Sequence, residues 1–230
     1  MKLIAPSIIL CLITSASAAS LVVGGLANIH LAGHGPPSLS GEGVNPPSFS
    51  FTSGPGQVLI VSGVTGIVSL DTGASLGNGP DGGAFLAPTG ITSLNGISGI
   101  HANQTGFLIG VFLSSVEPSD PAPPVLDFRT AGITTAFATL SPLIGQTFFV
   151  GDGLTGTGSG SLQQFNVPPT ATRLFLGITD GFDGTIGGPP RAFQDNGGSF
   201  SATFQIVPEP SSAVFLVLGG VVLLRRRTSR

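Results

Sequence analysis

Near the end of the chain, eight consecutive residues alternate between apolar and polar. Phe200, Ala202, Phe204 and Ile206 fall in one phase, and Ser199, Ser201, Thr203 and Gln205 in the other. Successive side chains of a strand point to opposite faces, so this period predicts a β-strand with one face on a core. Earlier segments are shorter. Residues 57–62 (QVLIVS) and 64–70 (VTGIVSL) predict two strands, and 106–113 (GFLIGVFL) is apolar in both phases, as a central strand is. Residues 146–150 and 171–179 predict two more, and 162–167 leads into Pro168-Pro169. Between them lie turns at 71–73 and 78–83 and loops at 30–47, 117–124 and 151–160, all rich in Gly, Pro, Ser, Asn or Asp. No helical period of useful length occurs between the two ends. Many short strands at this spacing predict an all-β fold, a β-sandwich or jelly roll.

The two ends follow a different pattern. Lys2, an apolar stretch from Leu3 to Ile13 and the small residues Ala16-Ser17-Ala18 stand in the order of a secretory signal peptide. The apolar stretch is shorter than the ~20 residues a helix needs to cross a bilayer. The only cysteine, Cys11, lies inside this segment, so the exported chain is expected to have no thiol, disulfide or cysteine metal site. At the other end, Pro208-Glu209-Pro210 precedes an apolar run from Ala213 to Leu224, which predicts a hydrophobic helix. Arg225, Arg226, Arg227 and Arg230 follow it. Proline interrupts regular structure, the apolar run suits a membrane, and the arginines favour the cytoplasmic side. The chain therefore divides into 1–18, a signal peptide; 19–206, one domain; and 207–230, a sorting and anchoring tail.

Composition supports strands over helices. The chain has 36 glycines, 19 prolines and 16 phenylalanines, and no Trp or Tyr. Within 19–206 the only basic residues are Arg129, Arg173 and Arg191. Ten acids oppose them: Glu42, Asp71, Asp81, Glu117, Asp120, Asp127, Asp152, Asp180, Asp183 and Asp195. The balance is 3 − 10 = −7. Such a domain is a poor nucleic-acid binder, because that affinity rests on Lys and Arg at phosphates. Aspartates in glycine-rich loops suit a hard cation such as calcium, and they also keep an exported domain soluble. His30, His34 and His101 lack metal-ligand spacing and are expected on the surface or in loops.

The stretch from Thr170 to Ile206 concentrates the candidate chemistry. A strand delivers Asp180 at its end, and Asp195-Asn196-Gly197-Gly198 stands just before the final strand. If these two strands were neighbours, Asp180, Asp195 and Asn196 would meet at one rim. Carboxylates and an amide oxygen there could form an oxygen cage for Ca2+. Equally, Asp and Asn before Gly are ordinary turn formers.

Two resemblances add to this. The Pro208-Glu209-Pro210 motif, apolar run and basic end resemble the PEP-CTERM sorting signal of Gram-negative bacteria. That resemblance implies recognition by an exosortase-type membrane protease and association with the outer envelope and exopolysaccharide. The pieces FFVGDG (148–153), RLFLGITD (173–180) and DNGGSFSATF (195–204), with GPGQVLIVSGVTGIVSL (54–70) upstream, resemble the bacterial galactophilic PA-IL-like lectins. Those are galactose-binding β-sandwiches that hold a sugar through calcium. The resemblance implies Asp180, Asp195 and Asn196 as metal ligands, with Asp180 and Asp195 also facing the sugar and Thr185 as an approximate further match. Here Asp195 stands where the family has Asn. The 180–195 loop is longer and carries Pro189-Pro190, and the family's sugar-contacting His and Gln have no counterpart.

The function expected from these residues is an exported, envelope-associated, non-catalytic binding module, calcium-dependent and directed at carbohydrate. The alternative is a structural or adhesive matrix protein with no specific small ligand. No nucleophile elbow, zinc motif or phosphate loop is present. Asp71-Thr72-Gly73 has the tripeptide of aspartic proteases but reads as a turn.

Overall fold

The computed structural model describes residues 18–35, 43–71, 77–84, 88–178, 180–181 and 188–208. The signal segment up to Ser17, the tail from Glu209 onward, the Thr72-Gly73 turn, Asp183 and Thr185 lie outside the described residues.

The described chain is all-β. Its strands are β1 (Ala19–Gly24), β2 (Ser48–Ser50), β3 (Gln57–Ser69), β4 (Thr89–Ile91), β5 (Ile100–Ala102), β6 (Ile109–Leu113), β7 (Leu126–Asp127) and β8 (Arg129–Thr130). They continue as β9 (Ile133–Thr134), β10 (Thr139–Leu140), β11 (Thr147–Phe149), β12 (Leu154–Gly156), β13 (Ser159–Leu162), β14 (Gln164–Asn166), β15 (Arg173–Gly177) and β16 (Gly197–Pro208). One sheet has five strands in the order β1-β16-β3-β14-β10, and a second has four in the order β11-β6-β15-β2. Smaller sheets join β4-β5-β7, β8-β9 and β12-β13.

The inner faces of the two large sheets share one core. Phe204 of β16 meets Phe49 of β2 edge-on at 5.3 Å between ring centroids, and Phe165 of β14 meets Phe148 of β11 at 5.0 Å. Offset and edge-on ring pairs at such distances are favourable beyond the area they bury. Phe200, Ala202 and Phe204 are fully buried, while Ser199, Ser201 and Thr203 between them are not, as the alternation predicts. β6 is buried at every position, also as predicted. The 3-10 turn Ile29–Leu31 packs against it, and the segment around Ser98 is bonded to its neighbour β11. The Ser98 Oγ accepts from the Thr147 N–H at 2.9 Å, and the Thr147 hydroxyl donates to the Gly99 carbonyl at 2.8 Å.

Four expectations need correction. The strands predicted at 57–62 and 64–70 are one, β3, which pairs with β16 along its length. A bulge divides it: Thr203 faces Gly63 and Phe204 faces Val61, so Ser62 is the extra residue. Leu59 and Val61 point inward before the bulge, and Val68 after it, while Ile67 is left 59% exposed. One inserted residue shifts the phase by one, which the sequence shows as a break. The loop predicted at 151–160 is mostly the β12–β13 hairpin. His30 is fully buried, not a surface residue, because the turn that carries it packs against β6 and β15. Finally, β15 and β16 are not neighbours; they lie in different sheets.

The final strand also runs through Val207 and Pro208, which pair with Val58 and Gln57. A proline at the last position of a strand interrupts the ladder least. No helix among the described residues is long and apolar enough to cross a membrane.

Candidate metal centre

Asp180 and Asp195-Asn196 come together even though their strands belong to different sheets. The chain leaving β1 crosses between the sheets. Ala27 accepts from the Ile178 N–H at 2.8 Å, and the Ile29 N–H donates to the Ile178 carbonyl at 3.2 Å. This fixes the backbone two residues before Asp180. The Arg191 N–H donates to the Asp180 carbonyl at 3.1 Å, closing the base of the loop that follows.

On the other side, Phe193–Asp195 forms a 3-10 turn whose Phe193 is fully buried and anchors the segment. The turn opens from Ala192 in the left-handed region (φ 72°), a costly conformation for a residue with a Cβ, held here by its surroundings. Next to it, the Asn196 amide nitrogen donates to the Gly25 carbonyl at 3.0 Å. That bond fixes the amide with its nitrogen toward β1 and leaves its oxygen to face elsewhere.

The oxygens are the informative part. Asp180 Oδ1 accepts from the Gly181 N–H at 2.7 Å, but Asp180 Oδ2, Asp195 Oδ1 and Asn196 Oδ1 are buried with no hydrogen-bond partner. Asp180 is only 7% exposed and Asn196 only 8%. An unsatisfied buried acceptor costs about 1–3 kcal/mol, more when charged. Three at one place therefore imply a missing partner that is positive or a donor. Burial pushes the Asp180 carboxyl from 3.8 to about 7, and the Asp195 charge adds to the rise. The Gly181 N–H and the Asn196 side chain oppose it. Among the described residues no three His, Cys, Asp or Glu side chains gather, because the third donor here is an amide oxygen.

No protein-family model, curated protein or solved structure significantly matches this chain.

The donor set fits a hard cation. All three atoms are oxygens, two from carboxylates and one from an amide. Calcium takes 6–8 oxygens of this kind. Softer metals that prefer imidazole or thiolate find neither among these three donors.

Two other polar clusters were not foreseen. Arg129 donates to both oxygens of Asp127, at 2.8 and 2.6 Å, and its Nη2 lies 2.8 Å from His101 Nδ1. Arg129 holds the Asp127 carboxyl well below the usual carboxylate range. The Asp152 N–H donates to Asp81 at 3.0 Å, and burial raises the Asp81 carboxyl, partly offset by that N–H. Asp152 is itself occupied by the N–H groups of Leu154 and Gly158. His34 pairs with Glu117 at 2.9 Å. Asp-x-Arg on one short segment (127–129) was the signal for the first cluster. The second brings together residues 71 positions apart, which no local pattern marks.

Proposed function

We propose that this chain is an exported, envelope-associated binding module without catalytic activity, which holds calcium at Asp180, Asp195 and Asn196 and contacts polysaccharide through it. In this reading the two packed sheets are a galactose-binding-like sandwich of the jelly-roll kind. Pro208, Glu209 and Pro210 are a recognition element for an exosortase-type protease, and the tail beyond them associates with the membrane. The observation that carries the site is the convergence of three buried, unpartnered oxygens from the three residues named by the sequence.

Those oxygens would hold the ion together with main-chain carbonyls. When bound, calcium supplies coordination positions that vicinal sugar hydroxyls can fill. The chain's own contribution is to orient the donors. Gly25 sets the Asn196 amide, the Gly181 N–H holds one oxygen of Asp180, and Phe193 seats the Asp195 turn. Burial keeps water from competing, so the attraction between ion and carboxylates is stronger than it would be on an open surface. With a net charge of −7 between 19 and 206, nucleic acid is not a partner in this reading.

The test is calorimetric titration of calcium into the exported chain and its Asp180→Ala variant, followed by a glycan screen with and without chelator. Binding by the wild type that is lost in the variant supports the site. No heat of binding to the wild type would leave the matrix-protein reading standing.

A further inference from the structure

The first sheet has two ends, and the strand pairings place different chemistry at each. β1 runs antiparallel to β16, with Ala19 opposite Phe204 and Gly24 opposite Ser199. β3 runs antiparallel to β16 as well, with Gln57 opposite Pro208 and Ser69 opposite Gly197. The chain therefore enters β1 and leaves β16 at the same end of the sheet, on adjacent strands. Asn196, the residue before β16, and Gly25, the residue after β1, lie at the opposite end, where they are hydrogen-bonded to each other.

The segments that meet at the entry and exit end are 18–20, 51–57, 166–172 and 205–208. They are joined there by the Val167 N–H to the Gln57 carbonyl at 2.8 Å and the Phe51 N–H to the Thr172 carbonyl at 2.9 Å. None of these four segments contains a charged residue, but Arg173 and the exposed Glu117 stand beside them, where the Thr172 N–H donates to the Leu113 carbonyl and Arg173 to the Ser114 and Val116 carbonyls. At the other end stand Asp71, two residues past β3, with Asp180 and Asp195.

We infer that the domain stands on a lipid surface on the end where the chain enters β1 and leaves β16, with the Asp180–Asp195–Asn196 rim held away from the membrane. The inference rests on reading the tail beyond Pro208 as a membrane segment. From Gly197 to Pro208 β16 rises eleven steps, about 36 Å at ~3.3 Å per residue. That is several times the Debye length of about 8 Å at physiological ionic strength. Anionic headgroups would then neither repel the acidic rim nor compete with it for cations. An acidic rim pressed against such a surface would face both effects. The entry and exit end carries a cation, Arg173, as well as an acid, Glu117, and its Gly, Pro, Ser and Thr segments can approach headgroups closely. The partner is thus the bilayer on one end and a soluble or extracellular ligand on the other.

The experiment places a single dye on each end. The full chain in a Cys11→Ser background carries either Thr170→Cys or Ser199→Cys, both at exposed positions. It is extracted from the membranes of producing cells and reconstituted into phosphatidylcholine and phosphatidylglycerol vesicles. Some of the lipid carries a nitroxide quencher on the headgroup, and chelator is present throughout. Quenching several-fold stronger at Thr170→Cys than at Ser199→Cys is expected. Equal quenching, or stronger quenching at Ser199→Cys, would overturn the inference, as would no quenching at either position. Because calcium is absent, failure here is separate from failure of the calcium site, and calcium binding could hold in either case.

Discussion

Asp180 makes stability depend on pH and calcium with a definite sign. Its carboxyl is raised from 3.8 to about 7 in the folded chain, chiefly by burial. Between those values the folded state holds a proton that the unfolded state has released. A raised carboxyl therefore lends relative stability at low pH and loses it as pH rises to about 7. At 1.36 kcal/mol per pH unit, the interval from 3.8 to about 7 corresponds to about 4 kcal/mol. Residual solvent access makes this an upper value. The perturbation is Asp180→Asn, which keeps the shape and removes the charge. In chelator the variant should match the wild type near pH 4 and exceed it by about 2–4 kcal/mol at pH 8. For a domain of this size that is roughly 4–16 °C in Tm. Excess calcium should reverse the order at pH 8, because the ion replaces the proton on the wild type. Ligand at a thousand times its Kd stabilises by about 4.1 kcal/mol, enough to overcome that difference. The assay is thermal unfolding of both proteins from pH 4.5 to 8, read as the difference between them, with chelator and with calcium. A difference independent of pH in chelator would refute the account of Asp180 as a buried carboxylate lacking a partner. A pH-dependent difference in chelator that calcium leaves unchanged would keep the burial but remove the ion.

His30 should act in the opposite direction. Burial lowers its ring from 6.5 to about 4, and neither ring nitrogen has a hydrogen-bond partner. Its neutral form is present above 6.5, and stability is lost as pH falls toward 4. In the Asp180→Asn background, His30→Leu should abolish about 3 kcal/mol of acid-dependent loss over that interval, measured by urea unfolding; an unchanged acid limb would contradict it. Deleting Ser62 should close the bulge and leave Val64 and Val68 inward, because Val61 and Gly63 already face the consecutive residues Phe204 and Thr203. The expected result is a cooperative unfolding transition that is kept, and Ser62→Ala should cost under about 1 kcal/mol. A deletion variant that loses the cooperative transition would show that Ser62 is not the residue the register skips.

What could be read from the sequence depended on whether a signal was local. The alternation at 199–206 fixes both the strand and its inner face, and Phe200, Ala202 and Phe204 lie where it puts them. The apolar run around β6 marked a strand covered on both sides for the same reason. β3 could be read only in halves, since the inserted Ser62 changes the period that identifies a strand. β1 and β2 were missed: Ala19–Gly24 follows directly on the signal segment, and Ser48–Ser50 is too short to show a period. The 3-10 turn at Ile29–Leu31 lies in a stretch whose glycines and prolines suggest only a loop. Its burial is set by β6 and β15, far along the chain.

The candidate site was legible for a reason that does not depend on which strands are neighbours. Asp180 follows β15 by three residues and Asn196 immediately precedes β16. Residues at strand ends collect on the rim whichever sheet the strands join, provided the strands run in suitable directions. Here the sheets are different, and the crossing from Gly25 to Ile29 brings the two rims together. Composition could suggest three oxygens near one another. It could not show that the Gly25 carbonyl would turn the Asn196 oxygen away from its own nitrogen's partner, or that Asp180 would be nearly buried. Those two facts separate the rim from an ordinary pair of acidic turns. A solvated turn would satisfy its oxygens with water or with local N–H groups, as Asp152 does with Leu154 and Gly158. Asp180, Asp195 and Asn196 each keep one buried oxygen unpaired. The cost of that arrangement is what a cation would offset.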